Sequence, residues 1–167
     1  SATGGLWSSP NTWVGNTVPP QGIPSITIPS GSTVTIDGNY AITNLTVSGT
    51  LQVDGTQRTT SVLNNVLINS GGQLLAYTAA STPNGAAFNV GNTFTNNGYA
   101  NLAVGSSGGS INFNGTGNAT LDGTGTFQGD GTYGIIRTVN FQTVGTQTIN
   151  TTQTINTYNM AHTAGSV

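Results

Sequence analysis

The sequence predicts an all-β chain wound into an elongated β-solenoid, and three features predict it. Short runs alternate strictly between apolar and polar residues: Leu45 and Val47 fall on one side of a strand, Thr46 and Ser48 on the other, and the alternation restarts after Gly49 with Leu51 and Val53. The same strand, corner and strand return at 65–76, with Val66, Ile68, Leu74 and Ala76 in the apolar places, and more loosely at 93–104 with Phe94, Leu102 and Val104. Helix formers, finally, are scarce: alanines cluster only at Ala79–Ala80 and Ala86–Ala87, and no window sustains a helical period.

Composition narrows the partners. At 167 residues the chain fits one domain, 1–167, with a continuous but slender core. Only 4% of residues are charged, the net charge is -2, and there is no Lys and no Glu. Arg58 and Arg137 are the only fixed cations, too few to neutralise a row of phosphates, so nucleic acid and an anionic membrane surface are poor partners. Abundant Thr, Val and Ile speak for folded β-structure over disorder. The 0 cysteines exclude disulfides, thiolate zinc sites and a cysteine nucleophile. No membrane span is present, and the polar start at Ser1 suits a mature end after signal removal or a cloned fragment.

Residues 1–24 differ from everything after them. This stretch holds Trp7 and Trp13 and is proline-rich, which denies a continuous ladder and predicts a loop or edge element. Each indole brings a large apolar face that needs cover. An N-terminal cap over the first strand layer meets both demands, and an aromatic platform for a sugar ring is the functional alternative.

Residues 25–145 read as stacked β turns. Ile26 and Ile28, Val34 and Ile36, and then the Leu45 stretch follow one another, punctuated by Pro29-Ser30-Gly31 and Asp37-Gly38-Asn39. Val47 to Ile68 is a step of 21 and Ile68 to Phe94 a step of 26, the size of one solenoid turn. Candidate insertions between turns are 56–60, carrying Arg58, and 77–85. The Asn-rich second half suggests amide ladders at the corners, Asn above Asn in successive turns. Residues 146–167 form Thr/Asn-rich terminal strands and a tail, in which Gln147-Thr148-Ile149-Asn150-Thr151 recurs as Gln153-Thr154-Ile155-Asn156-Thr157.

Five pieces carry a family resemblance over residues 6–54. They are Trp7-Ser8-Ser9-Pro10-Asn11-Thr12-Trp13, Val18-Pro19, Ile28-Pro29-Ser30-Gly31, Val34-Thr35-Ile36-Asp37 and Leu45-Thr46-Val47-Ser48-Gly49-Thr50-Leu51. In this order they resemble the domain family named for its eight glycines, with Ile23 where that family carries an acidic residue after the glycine corresponding to Gly22. Phe94-Thr95-Asn96-Asn97-Gly98 and Ile111-Asn112-Phe113-Asn114-Gly115 are similar to repeats of large secreted surface proteins of Bacteroidetes-type bacteria. The resemblance implies a right-handed parallel β-helix in a secreted, extracellular or cell-surface protein, often a module of a long adhesin.

Residues that could do chemistry are few. Asp37, Asp54, Asp122 and Asp130 each precede a glycine, the signature of a turn in which glycine takes a positive φ. Asp122 with Asp130 is the calcium alternative, although an oxygen cage normally draws on more carboxylates than these. His162 has no acid nearby in sequence and reads as a tail residue. Arg137, in an alternating run, reads as outward on a solvated strand. Tyr77, Tyr99, Tyr133 and Tyr158 are scattered candidates for stacking against sugars. Thr33/Thr35, Thr124/Thr126 and Thr146/Thr148 could form a flat hydroxyl lattice matching ice or a crystalline polysaccharide, but high β-propensity explains them.

The expectation is therefore a non-catalytic structural or adhesive β-helix module with no cofactor, meeting neighbouring repeats or copies of itself, and without membrane insertion. A self-assembling filament or sheath subunit is the first alternative. A β-helix that binds surface glycans or acts on polysaccharide is the second.

Overall fold

Period-two alternation with glycine corners leaves each strand with one apolar side to bury, and winding the chain buries all of these sides together. In the computed structural model, which describes residues 1–22, 24–54, 56–75, 86–104, 107–127, 136–142, 145–151 and 157–162, the chain visits three sheets in rotation. Sheet I contains Ser25–Ile28, Asn44–Val47, Asn65–Ile68, Thr93–Asn96, Ala119–Gly123 and Gln147–Thr151. Sheet II contains Gly5–Leu6, Thr33–Ile36, Thr50–Val53, Gln73–Leu75, Tyr99–Asn101 and Thr126–Phe127. Sheet III contains Tyr40–Ile42, Thr59–Val62, Ala87–Val90, Ser110–Phe113, Ile136–Phe141 and Thr157–His162. Every pairing inside these sheets is parallel, so the architecture is a parallel β-helix. A side hairpin pairs Ala103–Val104 with Ser107–Gly108 antiparallel.

Register turns the inward residues into columns. Ile26, Leu45, Val66, Phe94 and Leu121 stack through sheet I, and Val34, Leu51, Leu74, Ala100 and Phe127 through sheet II. In sheet III the column of Ile42, Val62, Val90, Phe113 and Phe141 includes two parallel rings, Phe113 and Phe141, 4.9 Å apart. All these side chains are buried, and each except Ala100 contributes roughly 1.5–3 kcal/mol relative to exposure.

The turn length departs from expectation at one step. Ile68 stands over Val47, 21 residues on, as the sequence indicates. The next step is 28 rather than 26, because Phe94 lies over Val66 and Asn96 takes the place above Ile68. In sheet II the same turn closes in fewer residues, with Ala100, not Leu102, continuing the Leu51 and Leu74 column. A polar residue on the inward side conceals the register from any count of apolar positions. The excursion at 56–60 is also shorter than the sequence suggests, since Thr59–Val62 is a strand and Thr60 is buried over Tyr40. The proposed insertion at 77–85 lies outside the described residues, as does Ala76.

Glycine does more here than turn the chain. Gly49, Gly72, Gly98 and Gly125 each precede a sheet II strand and stack at one corner, linked by Gln73 N–H donating to the Gly49 carbonyl at 2.8 Å, Tyr99 to Gly72 at 2.9 Å and Thr126 to Gly98 at 2.7 Å. None of the four has a positive φ. They are glycines because a Cβ at Gly72 would lie 2.2 Å from the Val47 carbonyl oxygen, at Gly98 2.3 Å from that of Gly72, and at Gly125 2.4 Å from that of Gly98. The expectation that Asp-Gly pairs place glycine at positive φ holds for Gly123, at 119°, and fails for Gly38.

The later strands continue the stack. Ile149 lies in register with Leu121, and the strand Thr157–His162 pairs with Ile136–Phe141. His162 therefore occupies the rung beside Phe141 in a strand, not a loose tail. Residues 152–156, which hold most of the second Gln-Thr-Ile-Asn repeat, lie outside the described residues.

Candidate functional surfaces

The densest polar cluster sits where residues 7–8 meet the first turns. Trp7 is buried, stacked on Tyr40 at 4.8 Å and packed edge-on against Trp13 at 4.9 Å. Trp13 Nε1 donates to the Trp7 carbonyl at 2.8 Å. Beside the rings, Ser8 donates its N–H and hydroxyl to the two carboxylate oxygens of Asp37, and the Tyr40 hydroxyl donates to Asp37 Oδ1 at 2.8 Å. One turn on, Asp54 stands at the same corner, its N–H bonded to the Ile36 carbonyl at 2.9 Å. Arg58 donates Nε and Nη2 to the Asp54 oxygens at 2.9 and 2.6 Å.

The surroundings of this cluster favour the ionised form of both carboxylates. Partial burial acts to raise the Asp37 carboxyl, but hydrogen bonds from Ser8 and Tyr40 outweigh it and leave the group below its ordinary 3.8. Hydrogen bonding from Arg58 lowers Asp54 in the same direction. Burial, and then the bond to Asp37, pushes the Tyr40 phenol above its ordinary 10.0. Both carboxylates at this corner are engaged, Asp37 by Ser8 and Tyr40 and Asp54 by Arg58.

The other sequence candidates are dispersed. Asp122 lies mid-face on sheet I, in register between Thr95 and Asn150, and accepts the Gly123 N–H at 2.8 Å. Its calcium partner Asp130 lies outside the described residues, among which no three His, Cys, Asp or Glu side chains gather. Tyr77 and Tyr133 also lie outside them, and Arg137, Tyr158 and His162 are described as backbone only. The threonine pairs do not stack into a lattice: Thr33 and Thr126 share a sheet II column but are separated by Thr50, Gln73 and Tyr99, while Thr148 stands on sheet I.

Amides organise the outward surface. On sheet III, Asn140 Nδ2 donates to Asn112 Oδ1 at 2.7 Å, Asn112 to Asn89 Oδ1 at 3.0 Å, and Asn89 to the Ser61 hydroxyl at 3.4 Å. This ladder runs down the middle of the face, whereas the sequence suggests corners. Corner amides exist as well, as in Asn69 donating to Ser48 at 2.9 Å and Thr146 N–H donating to Asn118 Oδ1 at 2.9 Å. Asn96, unrecognised as a core residue in the sequence, is fully buried, accepting from Gly98 N–H at 3.1 Å and donating to the Thr126 carbonyl at 3.0 Å. Its Asn-Asn-Gly context is the one local sign of a residue bound to its own turn.

An open groove of about 330 Å³ follows the glycine corner beside sheet II, lined by Gln73, Asn97, Tyr99, Thr124 and Thr126 over Gly72, Gly98 and Gly125. Tyr99 is the one tyrosine among the sequence candidates whose described side chain has a place on the surface, and it stands in column between Gln73 and Thr126. Among the described residues no helix is long and apolar enough to cross a membrane. Compared with protein families, with curated proteins and with solved structures, the chain matches none.

Proposed function

We propose that the chain is a non-catalytic, extracellular structural and adhesive β-helix module. The observation that carries this reading is the stack itself: three parallel six-stranded sheets with apolar columns inside and, outside, neutral amides and hydroxyls paired along the axis. Such a body is stiff because every rung is bonded to its neighbours, and it offers trypsin only two basic residues. The aromatic cluster of Trp7, Trp13 and Tyr40 serves in this reading as the N-terminal cap. Membership of the eight-glycine family is part of the proposal, supported by contact between two of its motif pieces: Trp7 N–H donates to the Thr35 carbonyl at 2.8 Å, and Ser8 binds Asp37.

Prolonged native digestion with proteinase K, alongside a reducing-sugar assay on neutral and acidic polysaccharides, tests this. The expected result is a protected body and no sugar release. Rapid degradation, or release of sugar from any substrate, overturns it.

Assembly with a second copy is a further reading, favoured by Ile149. Register puts it above buried Leu121, yet it is 46% exposed on the edge strand of sheet I. Edge strands of this kind can receive another chain. Sedimentation at micromolar protein checks it, and persistent monomers would remove it.

A further inference from the structure

We propose that the groove along the glycine corner is a binding site for a neutral glycan, with Tyr99 as its stacking surface. Three observations lead there. The first is shape. At about 330 Å³ the groove lies at the low end of ligand-site volumes, about 300–1,000 Å³, and it is open along its length, which suits one or two sugar units of a continuing chain.

The second is the lining. Gln73, Asn97, Tyr99, Thr124 and Thr126 contain amides, hydroxyls and one aromatic ring, and among the described residues no charged side chain lines the groove. Amides and hydroxyls donate and accept together, matching a sugar hydroxyl, which does the same. A phosphate or carboxylate would find no cation among these lining residues, and an apolar ligand would strand their polar groups. The Tyr99 ring supplies the one apolar face, and the C–H face of a pyranose packs on the negative face of an aromatic ring. Asn97 is already oriented, since its Oδ1 accepts the Thr124 N–H at 3.2 Å.

The third is the floor. Gly72, Gly98 and Gly125 carry no side chain because the preceding rung leaves no room for one, and the same packing keeps the corner low beside Tyr99. A ligand can therefore approach the backbone between Gln73, Tyr99 and Thr126. These three share one column, with strands about 4.8 Å apart, so successive sugar units along the axis would meet successive side chains. The site adds a ligand to the proposed structural role without depending on it: a stiff module lacking glycan affinity would keep the first and lose the second.

Titration of the 167-residue chain with cello-, laminari-, manno- and chitohexaose, followed by saturation-transfer NMR and calorimetry, tests the site. At least one hexaose is expected to bind with a Kd of about 1 mM or tighter. Tyr99→Ala should weaken that binding about tenfold or more, and Gln73→Ala by a smaller factor, with unchanged circular dichroism. Tyr99→Phe should retain most of the affinity, because it keeps the ring. Absence of binding by all four hexaoses overturns the proposal. Binding that Tyr99→Ala and Gln73→Ala both leave unchanged also overturns it, since it would place the sugar elsewhere.

Discussion

Ser8 grips Asp37 with two hydrogen bonds across 29 residues of sequence, its N–H reaching Oδ1 at 3.1 Å and its hydroxyl reaching Oδ2. Because Tyr40 adds a third, a single carboxylate ties residues 7–8 to the first turn of the helix. That carboxylate is held below its ordinary pKa of 3.8, so its contribution is complete above the ordinary value and is lost as pH falls through the lower folded value. Asp54, lowered by Arg58, acts in the same direction. Asp37→Asn is expected to cost about 1–2 kcal/mol at pH 7, a figure reduced from that of a buried charged hydrogen bond because the site is partly exposed. The variant should also show a flatter stability profile below pH 4, and urea denaturation across pH 2–7 measures both effects. A profile identical to that of the unmodified chain would show that Asp37 does not hold the segment.

Neighbouring glycines separate two kinds of constraint. Gly71 has a φ of 80° with open space around its absent Cβ, whereas Gly72 has an ordinary φ and a Cβ position 2.2 Å from the Val47 carbonyl oxygen. Gly71→Ala should cost about 1–2 kcal/mol, the strain of a left-handed conformation. Gly72→Ala must push two rungs apart and should cost more, at least about 3 kcal/mol. Urea midpoints of the two variants give the order directly, and the reverse order would refute the close-packed corner.

Asn96 carries two backbone partners in the core, the Gly98 N–H and the Thr126 carbonyl. Removing its amide leaves both without that partner, so Asn96→Ala is expected to lose about 2–4 kcal/mol. Asn96→Leu restores volume but not the hydrogen bonds and should not recover the loss. Full recovery by leucine in thermal or urea unfolding would mean that packing alone is what this position supplies.

Salt should matter little. With 2 Lys+Arg, 4 Asp+Glu and the Arg58–Asp54 pair partly exposed, screening has few interactions to weaken. Raising sodium chloride from about 0.05 to about 1 M should leave the Tm nearly unchanged once general salting-out is matched with a neutral osmolyte. Arg58→Ala should cost under about 1 kcal/mol at low salt. A large salt-dependent loss would assign the ion pair a greater role than its exposure indicates.

The β-helix was legible because alternation is local. Each strand states which of its sides is apolar without reference to its neighbours, and Leu45, Val47, Leu51 and Val53 lie inside as their spacing requires. The candidate surface was legible only in part: Tyr99 stood among four equivalent tyrosines, and nothing in the chain near it marks Gln73 or Thr126 as companions. What the tertiary structure alone decided is register, the choice of which residue stands above which across turns of unequal length. That choice puts Asn96 above Ile68, joins Asn89, Asn112 and Asn140 into a ladder, brings Ser8 to Asp37 and sets Tyr99 between Gln73 and Thr126. Register depends on loop lengths and on how buried polar groups find partners, and neither leaves a periodic mark in the sequence.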